Sequence, residues 1–168
     1  MKRSLTLTML FIVASIYAIC GNRLHTFLSQ NGTVYFIEDK KLNALDGSIS
    51  KFMYDVTYPE IKDSVTINFT ILSKSPSDVT ALTFRNKDAE VRATDVELLY
   101  HETKGKKYTI RTTSKMAFAD FKGLMTSDHP LLIEIRQGDS VVSTATYNDS
   151  QWKKEKLILQ SIFYTINK

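Results

Sequence analysis

Residues Pro130 to Tyr147 constrain the fold more than any other stretch. They read PLLIEIRQ, then Gly138-Asp139, then SVVSTATY. Two β-favouring runs around a Gly-Asp pair spell an antiparallel hairpin. A two-residue loop would set Gln137 opposite Ser140, Ile135 opposite Val142 and Ile133 opposite Thr144. That register puts Leu131, Ile133, Ile135, Val142 and Thr144 on one face, with Glu134, Arg136 and Ser143 on the other. Period-two alternation of this kind describes a half-buried pair with one wet side.

The rest of the chain repeats the theme. Thr33 to Glu38 (TVYFIE) predicts a strand, and the charges from Glu38 to Lys41 end it. Asp46-Gly47-Ser48 is a turn. Ile49 to Tyr58 is extended up to Pro59. In Asp63 to Leu72, Val65, Ile67, Phe69 and Ile71 share one face, and Ser64, Thr66, Asn68 and Thr70 the other. Ser73 to Asp78 is a loop, Val79 to Phe84 a strand, and Arg85 to Glu90 a charged turn. Val96 to His101 and Lys107 to Thr113 predict a second hairpin around Glu102 to Lys106, with Gly105 supplying the bend.

Two stretches carry helical spacing. Ser114 caps a helix over 115–126, with Ala117, Phe118, Phe121, Leu124 and Met125 at helical spacing. Gly123 costs it about 1 kcal/mol against alanine. The tail admits two readings. One is a helix over 150–163, capped from Asn148, Asp149 or Ser150 and carrying Trp152, Leu159, Ile162 and Phe163. The other is a closing strand over Lys156 to Ile166, whose β-branched and aromatic residues suit it. A helix over the first half giving way to extended chain near Tyr164 is favoured. Seven to nine short strands with one or two short helices predict a mainly β, antiparallel β-sandwich. Residues 33–168 form one such domain, and 21–32 read as a linker or loosely held arm.

The N-terminus has the layout of a secretory signal peptide over residues 1–20. Lys2 and Arg3 precede an uncharged, mostly apolar run of about fifteen residues, short for a membrane span. Cleavage sites are suggested after Ala18 and after Cys20. Cys20 following the apolar run also resembles the lipidated cysteine of bacterial lipoproteins, although Ile19 stands where that pattern has a small residue. Loss of Lys2 and Arg3 lowers the formal charge from +4 to +2. That near-balance argues against a general polyanion binder, so no nucleic-acid partner is expected. Cys20 is the one cysteine, so the mature domain rests on its core without disulfides. A domain of this size buries roughly 70% of its unfolded surface, enough to do so. Cysteine-free export favours a bacterial periplasm or cell surface. Membrane contact is expected only through the leader or a lipid on Cys20. The sequons at Asn31, Asn68 and Asn148 matter only in a eukaryote.

Catalytic patterns are weak. Gly138-Asp139-Ser140 spells the nucleophile tripeptide of the GDS-type esterases. That motif begins an α/β domain with its histidine downstream, and no histidine follows Ser140 here. The hairpin explains the tripeptide instead. His25, His101 and His129 lack the paired spacing of zinc ligands. Asp55, Glu60, Asp63, Glu97 and Glu134 are scattered, and acid–base chemistry needs two carboxylates to converge. No phosphate-cradling loop or nucleotide fingerprint is present, and no cofactor is expected.

The second hairpin is the strongest candidate surface. Tyr100, His101, Lys104, Lys106, Lys107, Tyr108 and Arg111 gather cations and aromatics around one turn, fit for a protein or an anionic glycan. Its bland reading is a solvated turn whose lysines protect a sheet edge. Lys153, Lys154 and Lys156 beside Trp152 form a weaker basic cluster, read most simply as the wet side of the last helix. The expectation is therefore an exported, non-enzymatic binding protein of the envelope or extracellular space. The rivals are a small secreted hydrolase or lyase acting on envelope polymers, with His101 or His129 as base and a carboxylate beside it, and a structural part of an envelope assembly that adds strands at a sheet edge.

Overall fold

A computed structural model describes residues 23–30, 32–42, 44–59, 63–139 and 141–166. The expected leader, Cys20, Asn31, Glu60 and Ser140 lie outside the described residues. The chain is mainly β, with eleven strands and two helices among those residues. In order they are β1 Leu24–Ser29, β2 Gly32–Leu42, β3 Ala44–Asp46, β4 Ile49–Pro59, β5 Ser64–Ser73, β6 Val79–Arg85, β7 Glu90–Arg92, β8 Thr94–Lys104, β9 Lys107–Ala117, α1 Phe118–Thr126, β10 Leu132–Gln137, β11 Val141–Thr146 and α2 Asp149–Ile166. A six-stranded sheet runs β1-β2-β4-β5-β9-β8, and a five-stranded sheet runs β3-β11-β10-β6-β7. Every pairing is antiparallel.

The inner faces of both sheets supply one continuous core in a sandwich-like arrangement. β5 shows why. Its Val65, Ile67, Phe69 and Ile71 are all fully buried, while the residues between them are half-exposed. From the smaller sheet, Leu82, Phe84, Ile133 and Ile135 are fully buried too. The helices close the core with aromatics: Phe163 of α2 meets Phe118 and Phe121 edge-on, and Phe118 stacks 4.3 Å from Tyr58.

The structure corrects several sequence expectations. The 130–147 hairpin has a three-residue connection, because Gln137 pairs with Val141 and Ile135 with Ser143. The one-residue slip turns Val142 out to solvent and buries Ser143 and Ala145, as a slip of one must. Tertiary bonds select this register. Gln137 is buried, accepts a bond from Ser73 Oγ at 2.7 Å and donates to the Ser77 carbonyl at 2.7 Å. Ser143 Oγ accepts the backbone N–H of Ser48 at 3.0 Å.

Residues 21–32 contain β1 where a linker was expected. Charge does not end the next strand at Glu38: β2 runs on to Leu42, with a register shift between Ile37 and Lys40. β9 keeps its pairing with β5 as far as Ala117, so Ser114 is a strand residue and α1 begins at Phe118. The Ser114 hydroxyl donates to the Ile67 carbonyl, and the Phe118 N–H is taken by the Asp63 carbonyl instead of a capping side chain. α2 continues to Ile166, with no extended chain at Tyr164. Its start is a reciprocal box: Asn148 Oδ1 accepts Gln151 N–H at 2.9 Å, and Gln151 Oε1 accepts Asn148 N–H at 3.3 Å, an Asn/Gln version of the capping box. The count exceeds the expected seven to nine strands because β1, β3 and β7 are short edge pieces with little sequence signal.

Candidate functional site

The second predicted hairpin exists and is longer than its sequence pattern indicated. Lys104 pairs with Lys107 across Gly105, whose φ of 63° favours glycine. β9 is interior to the six-stranded sheet and β8 is its edge. Pleating divides the candidate residues. Tyr100 lies opposite Arg111 and Glu102 opposite Thr109 on the outer face. His101 pairs with the buried Ile110 and Thr103 with Tyr108 on the other face. The His101 ring meets Tyr108 edge-on at 5.7 Å, and its Nδ1 lies 3.1 Å from Asp78 Oδ1. The seven residues therefore do not form one patch.

Several of them have structural work. Arg111 spans three strands: it donates to Asp55 Oδ2 at 2.8 Å and to Thr70 Oγ1 at 2.9 Å. Asp55 is buried and also accepts from Asn68. Lys107 donates to Ser50 Oγ at 3.1 Å. The Tyr100 hydroxyl donates to Glu102, which holds that phenol above its ordinary range. Lys104 and Lys106 stand exposed at the tip.

Sequence reasoning missed the apolar part of the surface. Leu98 is 47% exposed, Leu99 53% and Tyr100 42%. They belong to a strand that forms the edge of its sheet, and nearly every residue on it is exposed. Two register shifts, between Thr94 and Glu97 and between Leu98 and Tyr100, interrupt its pairing with β9. Asp95, at a φ of 48°, sits in the first of them and is held by Lys115 Nζ at 3.0 Å. The sequence signal that could have found this edge was charge: Asp95, Glu97, Glu102 and Lys104 interleave the apolar residues.

Other candidates resolve individually. Trp152 is buried and donates from Nε1 to the Ser127 carbonyl at 3.1 Å, so it is core. Lys156 binds Asp128, whose carboxyl is thereby held below its ordinary range; Lys153 and Lys154 are exposed. His129 and Asp128 line a cleft of about 650 Å³ with Arg85, Lys87, Asp149 and Lys153. His25 Nε2 lies 2.7 Å from Glu38 Oε1 on the surface. Asp55 and Glu134 stand on different sheets, Glu134 within 3.8 Å of Arg85. Among the described residues no group of three His, Cys, Asp or Glu side chains is placed to hold a metal.

A second buried ion pair, besides Asp55 with Arg111, lies between the N-terminal strand and the last helix. Arg23, just before β1, reaches Glu155 on α2 with both guanidinium nitrogens, at 2.7 and 3.3 Å. Beside this pair the hydroxyls of Tyr54 and Tyr147 bond to each other. Burial, and then the nearby Glu155 charge, push the Tyr54 hydroxyl far above its ordinary value; burial likewise raises Tyr147. Burial works against the Arg23 charge, yet Glu155 more than offsets it. The cluster ties α2 to β1, β4 and the end of β11.

Neither family models, curated proteins nor solved structures give a significant match to this chain.

Proposed function

We propose that this is an exported, non-enzymatic binding protein that engages its partner through the β8–β9 hairpin. One observation carries the reading: Leu98, Leu99 and Tyr100 stand exposed in succession on a sheet edge, next to a tip bearing Lys104, Lys106 and Lys107. Large apolar side chains left in water mark interaction surfaces, and aromatic anchors with a charged rim are the usual anatomy of a protein–protein contact. The leucines favour a protein with an acidic rim over an anionic glycan. The interrupted register of β8 works against strand addition at this edge, so recognition here falls to side chains. Export rests on the leader-like N-terminus, and mass spectrometry of the mature chain tests it directly.

The binding test places a photo-crosslinking residue at Leu99 in the producing cell, and another at Val142 on the outer face of the other sheet. The expected result is a discrete adduct from position 99 alone, lost in K104E/K106E/K107E and weakened by salt. Equal adducts at both positions, or an adduct indifferent to charge reversal, would refute the assignment.

A further inference from the structure

The two sheets present four edge strands among the described residues: β1, β8, β3 and β7. Three of these are blunted. β8 has two register shifts and several charges. β3 and β7 are three residues each, and β7 is Glu-Val-Arg. β1 differs. It pairs with β2 over six residues without a shift, from Leu24↔Ile37 to Ser29↔Gly32. Its sequence, LHTFLS, contains no Lys, Asp, Glu or Pro. Phe27 is 55% exposed and Leu28 90% exposed. An even, apolar, uncharged edge is a template for pairing with another strand.

From these observations we infer that β1 is a self-association edge, occupied by β1 of a second copy of this chain across a two-fold axis at Thr26. Backbone direction fixes which residues can pair. The Arg23 carbonyl accepts Glu38 N–H, so alternate residues onward, His25 and Phe27, turn their backbone groups toward β2. Leu24, Thr26 and Leu28 turn theirs toward the open edge. An antiparallel partner centred on Thr26 then bonds Leu24 to the second copy's Leu28, and Leu28 to its Leu24.

Side chains agree with that register. On one face each copy's Leu24 covers the other's Leu28, which is 90% exposed in the single chain. On the other face His25 lies opposite Phe27 twice, extending the aromatic row in which His25 already stands 6.4 Å from Phe27 and 6.3 Å from Phe36. No like charges meet, because Glu38 accompanies His25. The same strand on both sides, matched residue for residue, is what an isologous interface requires. Arg23, fastened to Glu155 and to the Glu38 carbonyl at 2.9 Å, orders the start of β1 before any partner arrives. Such preorganisation lowers the entropic cost of pairing. This surface is separate from the β8–β9 hairpin, and its failure would leave that reading intact.

Sedimentation of the purified protein from micromolar to millimolar concentration provides the test. A reversible monomer–dimer equilibrium is expected. T26P removes an N–H that faces only the open edge and so leaves the β1–β2 ladder in place. L28K puts a charge on a side chain that touches almost nothing in the monomer. Each should weaken the dimer by about tenfold or more with the circular dichroism unchanged. Should T26P unfold, L28K alone decides. A wild-type chain that is monomeric throughout, or a dimer indifferent to L28K, would overturn the inference.

Discussion

Arg23 and Glu155, 132 positions apart, form a two-pronged ion pair at 2.7 and 3.3 Å that fastens the first strand to the last helix. Glu155 is 1% exposed, so its charge depends on compensation from the fold. Breaking a buried pair from one side costs far more than the net worth of the pair. R23M should therefore destabilise the protein by about 3 kcal/mol. R23M/E155L should recover much of that loss, because the double change removes both charges of the pair. Urea denaturation of the three proteins reads both numbers. Equal stability of R23M and wild type would show that the pair does not fasten β1.

The adjoining tyrosines predict a pH dependence. In the unfolded chain the hydroxyls of Tyr54 and Tyr147 ionise around their ordinary value of 10.0. In the fold, burial among Glu155 and each other keeps both protonated well beyond it. Above pH 10 unfolding thus releases protons, and stability falls as pH rises, by about 1.4 kcal/mol per pH unit for each tyrosine. Below pH 10 neither group contributes a slope. Y54F/Y147F should lose this part of the alkaline decline and leave the neutral range without it. Denaturation midpoints from pH 8 to 11 would check the difference.

Much of the sandwich was legible because alternation survives wherever one sheet face is buried. β5 is the clearest case, and the turns at Gly47 and Gly105 announced themselves through glycine. The 130–147 register was not legible. Gln137 finds its partners at Ser73 and Ser77, some sixty positions away, and no local turn rule contains them. β1 escaped because its apolar and polar residues do not alternate and its partner strand was expected to end at Glu38. The candidate surface was half legible. Lys104 and Lys106 do stand at an exposed tip, but strand pleating separates Tyr100 from His101. The exposure of Leu98 and Leu99 was not legible, because composition does not reveal which strand ends a sheet.

The turn between β3 and β4 crosses from one sheet to the other and leaves no room for a side chain. Gly47 has a φ of 88°, and a Cβ there would lie 2.4 Å from Ser143 Oγ and 3.0 Å from its Cα. G47A should cost about 2 kcal/mol or more, since it meets backbone strain and a clash together. G47A/S143G should recover only part, because the positive φ and the backbone at position 143 remain and the Ser48 N–H loses the Ser143 hydroxyl as its acceptor. Thermal unfolding of both variants gives the comparison.

Arg111 and the tip lysines belong to one sequence cluster, yet they should separate cleanly by experiment. Arg111 neutralises the buried Asp55 and ties β9 to β4 and β5. R111Q takes the paired cation from that buried carboxylate, which keeps its bond from Asn68, and should cost roughly 2 kcal/mol. K104A and K106A remove exposed side chains and should stay within about 0.5 kcal/mol of wild type. Crosslinking from Leu99 should respond in the opposite order, falling with the lysines and little with R111Q once the folded fraction is matched. Parallel urea titrations and crosslinking yields on the same three variants decide it. A K104A/K106A protein that loses stability, or an R111Q protein that loses the adduct while fully folded, would place recognition on the open sheet face instead of the hairpin tip.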